Sequence, residues 1–347
     1  MSQTEQCLYS SSIDAEPLHR YEKGGYHPTA LEITKFRSRK GEYVAVKICV
    51  SDNENYDGNR ELRVLKQMAA TSPRCEHIVR LLDDFDLEGA NGRHKCLVIE
   101  LIGPSIPEMI TARFHDGRLP GKVAKAIAKQ ALSGLDALHQ QKIAHGALEY
   151  GVPEYIVRPA SFQTHPPSRL LSALPEIRLV DFGESFSQTH VPPILHTPLA
   201  LRAPEVIFKD KLDHRVDLWS MGCMLFELFV GQPPFDSFLI TPRMLVDQMQ
   251  EMTSHALPGR WKDLLTTLEG QSSTETPGPG LQQWLDEMYF DGERKADLTR
   301  EYIRRLGEII EMLLRFEPSS RASAGEVLHD AWFDASLSTQ LSAKESD

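Results

Sequence analysis

The pattern of apolar residues changes at Gly103, and that change constrains the fold more than any other feature of the chain. Before it, residues 42–50 alternate and carry the run Tyr43-Val44-Ala45-Val46-Lys47-Ile48, which reads as a strand. Residues 59–70 hold Leu62, Val64, Leu65 and Met68 at helical spacing. Residues 78–87 and 95–102 read as two further strands, joined across Gly89-Ala90-Asn91-Gly92, whose Asn-Gly is a strong turn signal. After Gly103 the period lengthens. Residues 121–141 predict a long amphipathic helix, and residues 177–180 a short strand. An apolar helix over 216–230 is stopped by Gly231 and Pro233-Pro234, and helices follow over 244–252 and 298–315. Residues 158–175 form a Pro/Ser-rich insert, and residues 270–280 a surface loop. The expected architecture is α+β: a strand-rich lobe over 21–102 and a helical lobe over 103–335, with flexible tails at 1–20 and 336–347.

Charge and cysteine usage narrow the function. The net charge is -11, from 38 basic and 49 acidic residues. That balance opposes direct, purely electrostatic nucleic-acid binding and favours a basic protein or peptide partner. Cys7, Cys49, Cys75, Cys96 and Cys223 are scattered with no C-x-x-C pair, so neither a zinc site nor a disulfide framework is expected. Residues 1–16 are polar and lack the apolar core of a signal peptide. The most apolar run, 218–231, is too short to span a bilayer and contains Glu227. The expected setting is the cytoplasm or the nucleus, or both, without a membrane.

Short motifs then occur in a definite order. Lys47 ends Val44-Ala45-Val46-Lys47 on the first strand, and Glu61 lies on the helix after it. Ile143-Ala144-His145-Gly146-Ala147-Leu148 follows the long helix, and Asp181-Phe182-Gly183 follows the strand ending Leu179-Val180. Thr197-Pro198-Leu199-Ala200-Leu201-Arg202-Ala203-Pro204-Glu205 comes next, then Asp217-Leu218-Trp219-Ser220, and far downstream Arg321 in Ser320-Arg321-Ala322. In this order the residues resemble the eukaryotic protein kinase family over about 42–333. Within it the chain is similar to the kinases of serine/arginine-rich splicing factors, in a divergent, fungal-like form. That similarity rests on the lead-in Tyr21-Glu22-Lys23-Gly24-Gly25-Tyr26-His27-Pro28, on Leu82-Asp83-Asp84-Phe85 followed by Gly89 to His94, on the Thr-Pro-x-x-x-Arg-Ala-Pro-Glu closure, and on Trp332 at the end of the last helix.

The resemblance implies a bilobal protein kinase fold and a role for each residue. Lys47 would meet the α/β-phosphates and pair with Glu61, and Asp181 would ligate magnesium. The backbone of Glu100 and Ile102 would meet the purine edge, with Ile99 beside it as gatekeeper. His145, Phe182 and Leu65 would stack in the interior. Glu205 and Arg321 would form a buried pair, and Asp217 would anchor the catalytic loop from beneath. The family phosphorylates serines in Arg-Ser-rich proteins, a substrate class that suits an acidic protein.

The chain departs from the family at its chemistry. Ala147 stands at the position of the catalytic aspartate, so no intact catalytic residue remains there. Alanine can neither accept a proton nor orient a hydroxyl, work that typically contributes about 10²–10⁴-fold. The magnesium-binding asparagine is replaced by Val152 or, with a small insertion, by Tyr155. Neither is a hard octahedral ligand. Gly146 replaces the arginine that receives an activation-segment phosphate. Glu149 and Glu154 are the carboxylates near enough in sequence to be weighed as substitutes, but a solvated loop charge is the simpler explanation, and a substitute must come within hydrogen-bond reach of the substrate hydroxyl. Of the phosphate-covering glycines, Gly25-Tyr26-His27-Pro28-Thr29-Ala30 keeps only the first. Alternatively, Gly-Gly-Tyr-His-Pro is a separate lead-in running directly into Ala30-Leu31-Glu32-Ile33, with the glycine loop missing between them, as a true loss or a gene-model error. Both readings leave ATP poorly covered. Three functions stay open: a pseudokinase that binds a protein partner, a weakly active serine/threonine kinase acting on Arg-Ser-rich substrates, and a relic of an active kinase gene. ATP and magnesium, if bound at all, are expected to bind weakly.

Overall fold

The computed structural model describes residues 36–37, 43–50, 60–114, 118–148, 174–235, 240–253, 255–270, 278–292 and 294–334. The tails, the lead-in with its glycine segment, Glu149, Val152, Glu154, Tyr155 and most of the Pro/Ser-rich insert lie outside these residues. Strands β1 (Phe36–Arg37), β2 (Tyr43–Ile48), β3 (Leu81–Gly89) and β4 (Gly92–Glu100) form an antiparallel sheet in the order β1-β2-β4-β3. Helix α1 (Arg60–Ala70) buries Leu62, Val64, Leu65 and Met68, the residues whose spacing predicts it. The β3–β4 hairpin closes on the pair Gly89↔Gly92. Its turn is therefore Ala90-Asn91, and Gly92 already belongs to β4. The strand expected over 95–102 correspondingly starts earlier and stops at Glu100.

The second lobe is helical: α2 (Ile106–Arg113), α3 (Gly121–Gln140), α4 (Pro204–Ile207), α5 (Val216–Val230), α6 (Pro242–Met252), α7 (Gly259–Leu265), α8 (Leu281–Tyr289), α9 (Arg300–Leu313) and α10 (Ala324–Leu328). Two short strands, β5 (Ile143–Ala144) and β6 (Phe186–Ser187), pair between α3 and α4. Every residue of α5 except Glu227 is buried, so α5 is the axis of the lobe. A helix that is apolar on all sides must be surrounded, and α3, α8 and α9 pack against it. Gly231 ends it in the left-handed conformation. Trp332 lies past α10, in the 3-10 turn Ala331–Phe333, so it does not end the last helix. It is buried against Phe229 and Tyr302.

Four local devices position the site. The segment expected as a strand over 177–180 forms only a parallel bridge, Ile78↔Leu179. Val79 N–H donates to Leu179 O at 3.0 Å, and Leu179 N–H donates to His77 O at 2.8 Å. Gly134 lets this strip lie flat on α3, because a Cβ there would meet Leu179 Cδ1 at 2.8 Å and His77 O at 3.0 Å. Gln130 of α3 fixes the same strip, donating to Pro175 O at 2.8 Å and accepting from Ile177 N–H at 2.9 Å. The start of α3 has no cap of its own; Asp297 Oδ2 accepts the Gly121 N–H at 2.7 Å.

Candidate active site

Strand β2, helix α1 and the end of the Leu179 strip bring three charges together. Lys47 Nζ lies 2.9 Å from Glu61 Oε2 and 2.8 Å from Asp181 Oδ1. Glu61 also accepts the Phe182 N–H through Oε1 at 3.3 Å. One lysine thus joins the sheet to the helix and to the second lobe. Burial pushes the Asp181 carboxyl up, but the charge and hydrogen bond of Lys47 more than offset this and hold it below the usual carboxylate range. Asp181 has φ 60°, a left-handed conformation rare outside glycine and one that functional sites often hold. Sequence reasoning missed Arg60, whose Nη1 donates to Gly183 O at 3.5 Å. The only signal for it is its place beside Glu61.

The catalytic-loop residues are fixed from below. Asp217, at the start of α5, accepts the His145 N–H at 2.7 Å on Oδ2 and the Gly146 N–H at 2.8 Å on Oδ1. His139 Nε2 lies 3.0 Å from the same Oδ2. Burial opposes ionisation of Asp217, yet the His139 hydrogen bond and the neighbouring backbone donors hold its carboxyl below the ordinary range. His145 Nε2 donates to Val180 O at 2.9 Å, which leaves Nδ1 a buried acceptor without a partner. Its ring lies 5.0 Å from the fully buried Phe182, and Leu65 is buried in the same core. Ala147 follows, half-buried. Its methyl group supplies no acceptor for a hydroxyl.

Further on, the segment after Gly183 closes onto the lobe. Arg202 donates twice to Thr197 O, at 3.1 and 2.7 Å. Glu205 and Arg321 form a bidentate pair at 2.6 Å through both oxygens, with side chains 1% and 0% exposed. Arg321 additionally donates to the carbonyls of Arg215 at 2.7 Å and Arg315 at 2.8 Å. A buried guanidinium needs this completeness, since each unmet donor costs desolvation.

At the hinge-side end of β4, Ile99 pairs with Ala45 and Leu81. The Glu100 N–H already donates to Arg80 O at 3.0 Å, and Glu100 Oε1 accepts the Arg80 N–H at 2.9 Å. Leu101 and Ile102 are exposed. Cys49, Cys96 and Cys223 are buried and Cys75 is half-buried; burial raises the thiol pKa of Cys75, Cys96 and Cys223. No helix among the described residues is long and apolar enough to cross a membrane.

For a nucleotide with magnesium, the described residues fit in part. Asp181 offers one carboxylate to a metal that brings phosphate oxygens as its other ligands, and Lys47 stands beside it. Among the described residues no three His, Cys, Asp or Glu side chains are grouped so as to hold a metal by themselves.

Comparison with known proteins agrees with this geometry. Residues 32–333 match the family model of the protein kinase domain. The chain is similar to the serine/threonine-protein kinase Doa of Drosophila melanogaster, at 27% identity over 87% of this chain and 37% of Doa. It is similar to the serine/threonine-protein kinase AFC3 of Arabidopsis thaliana, at 27% identity over 85% of this chain and 76% of that protein. The serine/threonine-protein kinase SRPK of Physarum polycephalum matches at 25% identity over 89% of this chain and 88% of its own length. The chain spans well under half the length of Doa. With the sheet-bearing lobe, the helical lobe and the charge cluster between them, the architecture is the bilobal protein kinase fold, and the chain belongs to the protein kinase family.

Proposed function

We propose that this protein is a pseudokinase of the SR-protein kinase type, acting through a protein partner with little or no phosphoryl transfer. The observation that carries this reading is Ala147, set on a catalytic loop whose supports, Asp217 and His145, are in place. The loop is held where a kinase needs it, but its working carboxylate is a methyl group. The surviving charges of the cleft bear only on nucleotide binding. Lys47 is matched by two carboxylates, so the three groups together carry a net negative charge, unfavourable to a phosphate chain that arrives without a cation. Were ATP and magnesium bound, Asp181 would hold the metal and Lys47 the phosphates, and the metal would neutralise phosphate charge. Weak binding of both is part of the proposal. An Arg-Ser-rich protein is the partner class favoured by the net charge of -11 and by the similarity to SRPK. The cytoplasm and nucleus are the proposed locations.

The second reading, a weakly active serine/threonine kinase, is favoured by one observation: Lys47, Glu61 and Asp181 are assembled rather than scattered. Transfer of labelled phosphate from ATP to an Arg-Ser peptide separates the two. We expect no transfer above that of an Asp181→Asn control, and a partial gain for Ala147→Asp. Robust transfer by the unmodified chain overturns the pseudokinase reading. A thermal-shift titration with ATP and magnesium tests the binding claim, since a ligand at about 100 times its Kd stabilises by about 2.7 kcal/mol. At millimolar ATP we expect a shift well short of that.

A further inference from the structure

Strand β3 is the outer strand of its sheet, and its free side carries exposed apolar side chains. The order β1-β2-β4-β3 leaves it with β4 as its one neighbour among the described residues. Strand alternation fixes which main-chain groups face outwards. The Cys49 N–H donates to Lys95 O at 2.8 Å, so the odd-numbered residues of β4 turn their main chain to β2 and the even-numbered ones to β3. Asp83, Phe85 and Leu87, opposite Val98, Cys96 and His94, therefore bond inwards, and Asp84, Asp86 and Glu88 turn their N–H and C=O groups to the free side. Of these, the Asp84 N–H is accepted by Asp83 Oδ1 at 2.9 Å. A bulge at Leu82 and the turn at Ala90-Asn91 bound the regular stretch, which runs from Asp83 to Gly89 with Asp86 at its midpoint. Phe85 is 45% exposed and Leu82 is 43% exposed.

The carboxylates Asp83, Asp84, Asp86 and Glu88 on one strand argue against self-association, since like charges placed opposite each other destabilise a strand pair. The ion pairs remove most of that objection. Asp84 meets Lys66 Nζ at 2.7 Å and Lys95 Nζ at 3.9 Å, and Asp86 meets Lys95 Nζ at 2.5 Å and Arg93. Asp84, Asp86 and Glu88 share one face of β3, and Asp83, Phe85 and Leu87 the other. We propose that β3 pairs antiparallel with β3 of a second copy of this chain, about a two-fold axis at Asp86, so that two four-stranded sheets become one. In that register Asp84 stands opposite Glu88 of the second copy, and Phe85 opposite its Leu87. One face of the join is then a cluster of paired Phe85 and Leu87 side chains. On the other face each Asp86 brings its own Lys95 and Arg93, and each Glu88 comes beside the Lys66–Asp84 pair of the second copy. Lys66 is 55% exposed, so its ammonium is open to both carboxylates. A basic peptide suits this edge less well, because the cations it would bring are already supplied. The seam is short, which puts it in the weak, concentration-dependent class of contacts. It stands whether or not the chain transfers phosphate.

Sedimentation velocity of the full chain between about 1 and 300 µM tests it. A monomer should pass to a dimer as the concentration rises. Phe85→Ser should weaken the dimer by about tenfold, and so should Lys66→Glu, which leaves the carboxylates of the shared face bare. Leu264→Ser, at an equally exposed apolar residue of α7, should have no effect. Asp86→Cys checks the register. Residues facing each other at such a pair have Cα atoms about 5.5 Å apart, within disulfide reach, so oxidised glutathione should join the two new thiols. Leu264→Cys should give no such product. The proposal is overturned if the chain stays monomeric throughout the range, if Phe85→Ser leaves the dimer as tight as before, or if Asp86→Cys forms no covalent dimer. A monomer whose β3 amides are protected by an Arg-Ser peptide equally overturns it, and gives the edge to that partner.

Discussion

Two ion-pair clusters share this chain, and they are built to different standards. At the base of the helical lobe, Glu205 and Arg321 meet through both oxygens, are almost wholly buried, and have their remaining donors taken by carbonyls. In the cleft, Lys47 meets Glu61 and Asp181 with side chains 18%, 10% and 41% exposed. The first cluster is sealed and can only hold structure. The second is open to solvent on its Asp181 side and could exchange partners. The difference teaches that persistence of charged residues says different things in the two places: below it reports the fold, above it reports what remains of a binding cleft.

The contrast can be broken at its strong end first. Arg321→Met should strand the buried Glu205 and cost about 3–5 kcal/mol, a fall in melting temperature of about 2–4 °C per kcal/mol. A loss below about 1 kcal/mol would show that the base is no better built than the cleft. Next, Asp217→Asn removes one of the acceptors for His145 and Gly146 and should cost about 2–3 kcal/mol by urea unfolding at pH 7. The folded carboxyl of Asp217 is held below its unfolded value, so its contribution is present above about pH 4 and is lost as pH falls through the folded value. The Asn variant should therefore lose less stability than the parent between neutral pH and acid.

Glu227 sharpens the comparison from a third position, as the half-buried carboxyl of the otherwise buried α5. Burial pushes it up to about 7. Because the folded value is raised above the unfolded one, the stability it supports is whole below about pH 4 and declines as pH rises to 7. Glu227→Gln should thus stabilise by about 1–2 kcal/mol at pH 8, after discounting for partial solvent access, and do nothing near pH 4. Lys47→Met is expected to cost about 1 kcal/mol or less in the absence of nucleotide. A loss as large as that of Arg321→Met would place the two clusters on one footing. At the exposed limit, Arg304→Ala breaks its α9 pairs with Glu301 and Glu308 and should leave the midpoint of the same urea assay unchanged.

Much of the contrast was legible in residue order. Helix α5 has the predicted bounds because a continuous apolar run meets Gly231 and two prolines. The link of Glu205 to Arg321, like that of Lys47 to Glu61, was readable from motif identity, although no local pattern connects residues so far apart. What escaped is what tertiary approach alone creates. Helix α2 is short and weakly periodic and α7 is only seven residues long, so packing rather than pattern defines them, whereas α8 carries Leu281, Trp284, Leu285, Met288 and Tyr289 at helical spacing, a signal that sequence reasoning missed. The strand at 177–180 reduces to a bridge because its partners are only the few residues at 77–79. Gly146 read as an omission; only the Glu184 carbonyl beside it shows that the space is used. Arg60 had no signal beyond its place beside Glu61.

The cap of helix α3 carries a consequence for how the chain is made. The Gly121 N–H is satisfied by Asp297, and Arg118 just before it donates to the carbonyls of Tyr289 and Lys295. On the ribosome, the residues of α3 emerge long before these partners exist. Its first turn must stay solvated while some 170 further residues are synthesised, and it can lock only once the region around Asp297 has left the exit tunnel. The first turn of α3 is therefore set late, and a ribosome stalled before Asp297 emerges would hold a lobe whose entrance is still open.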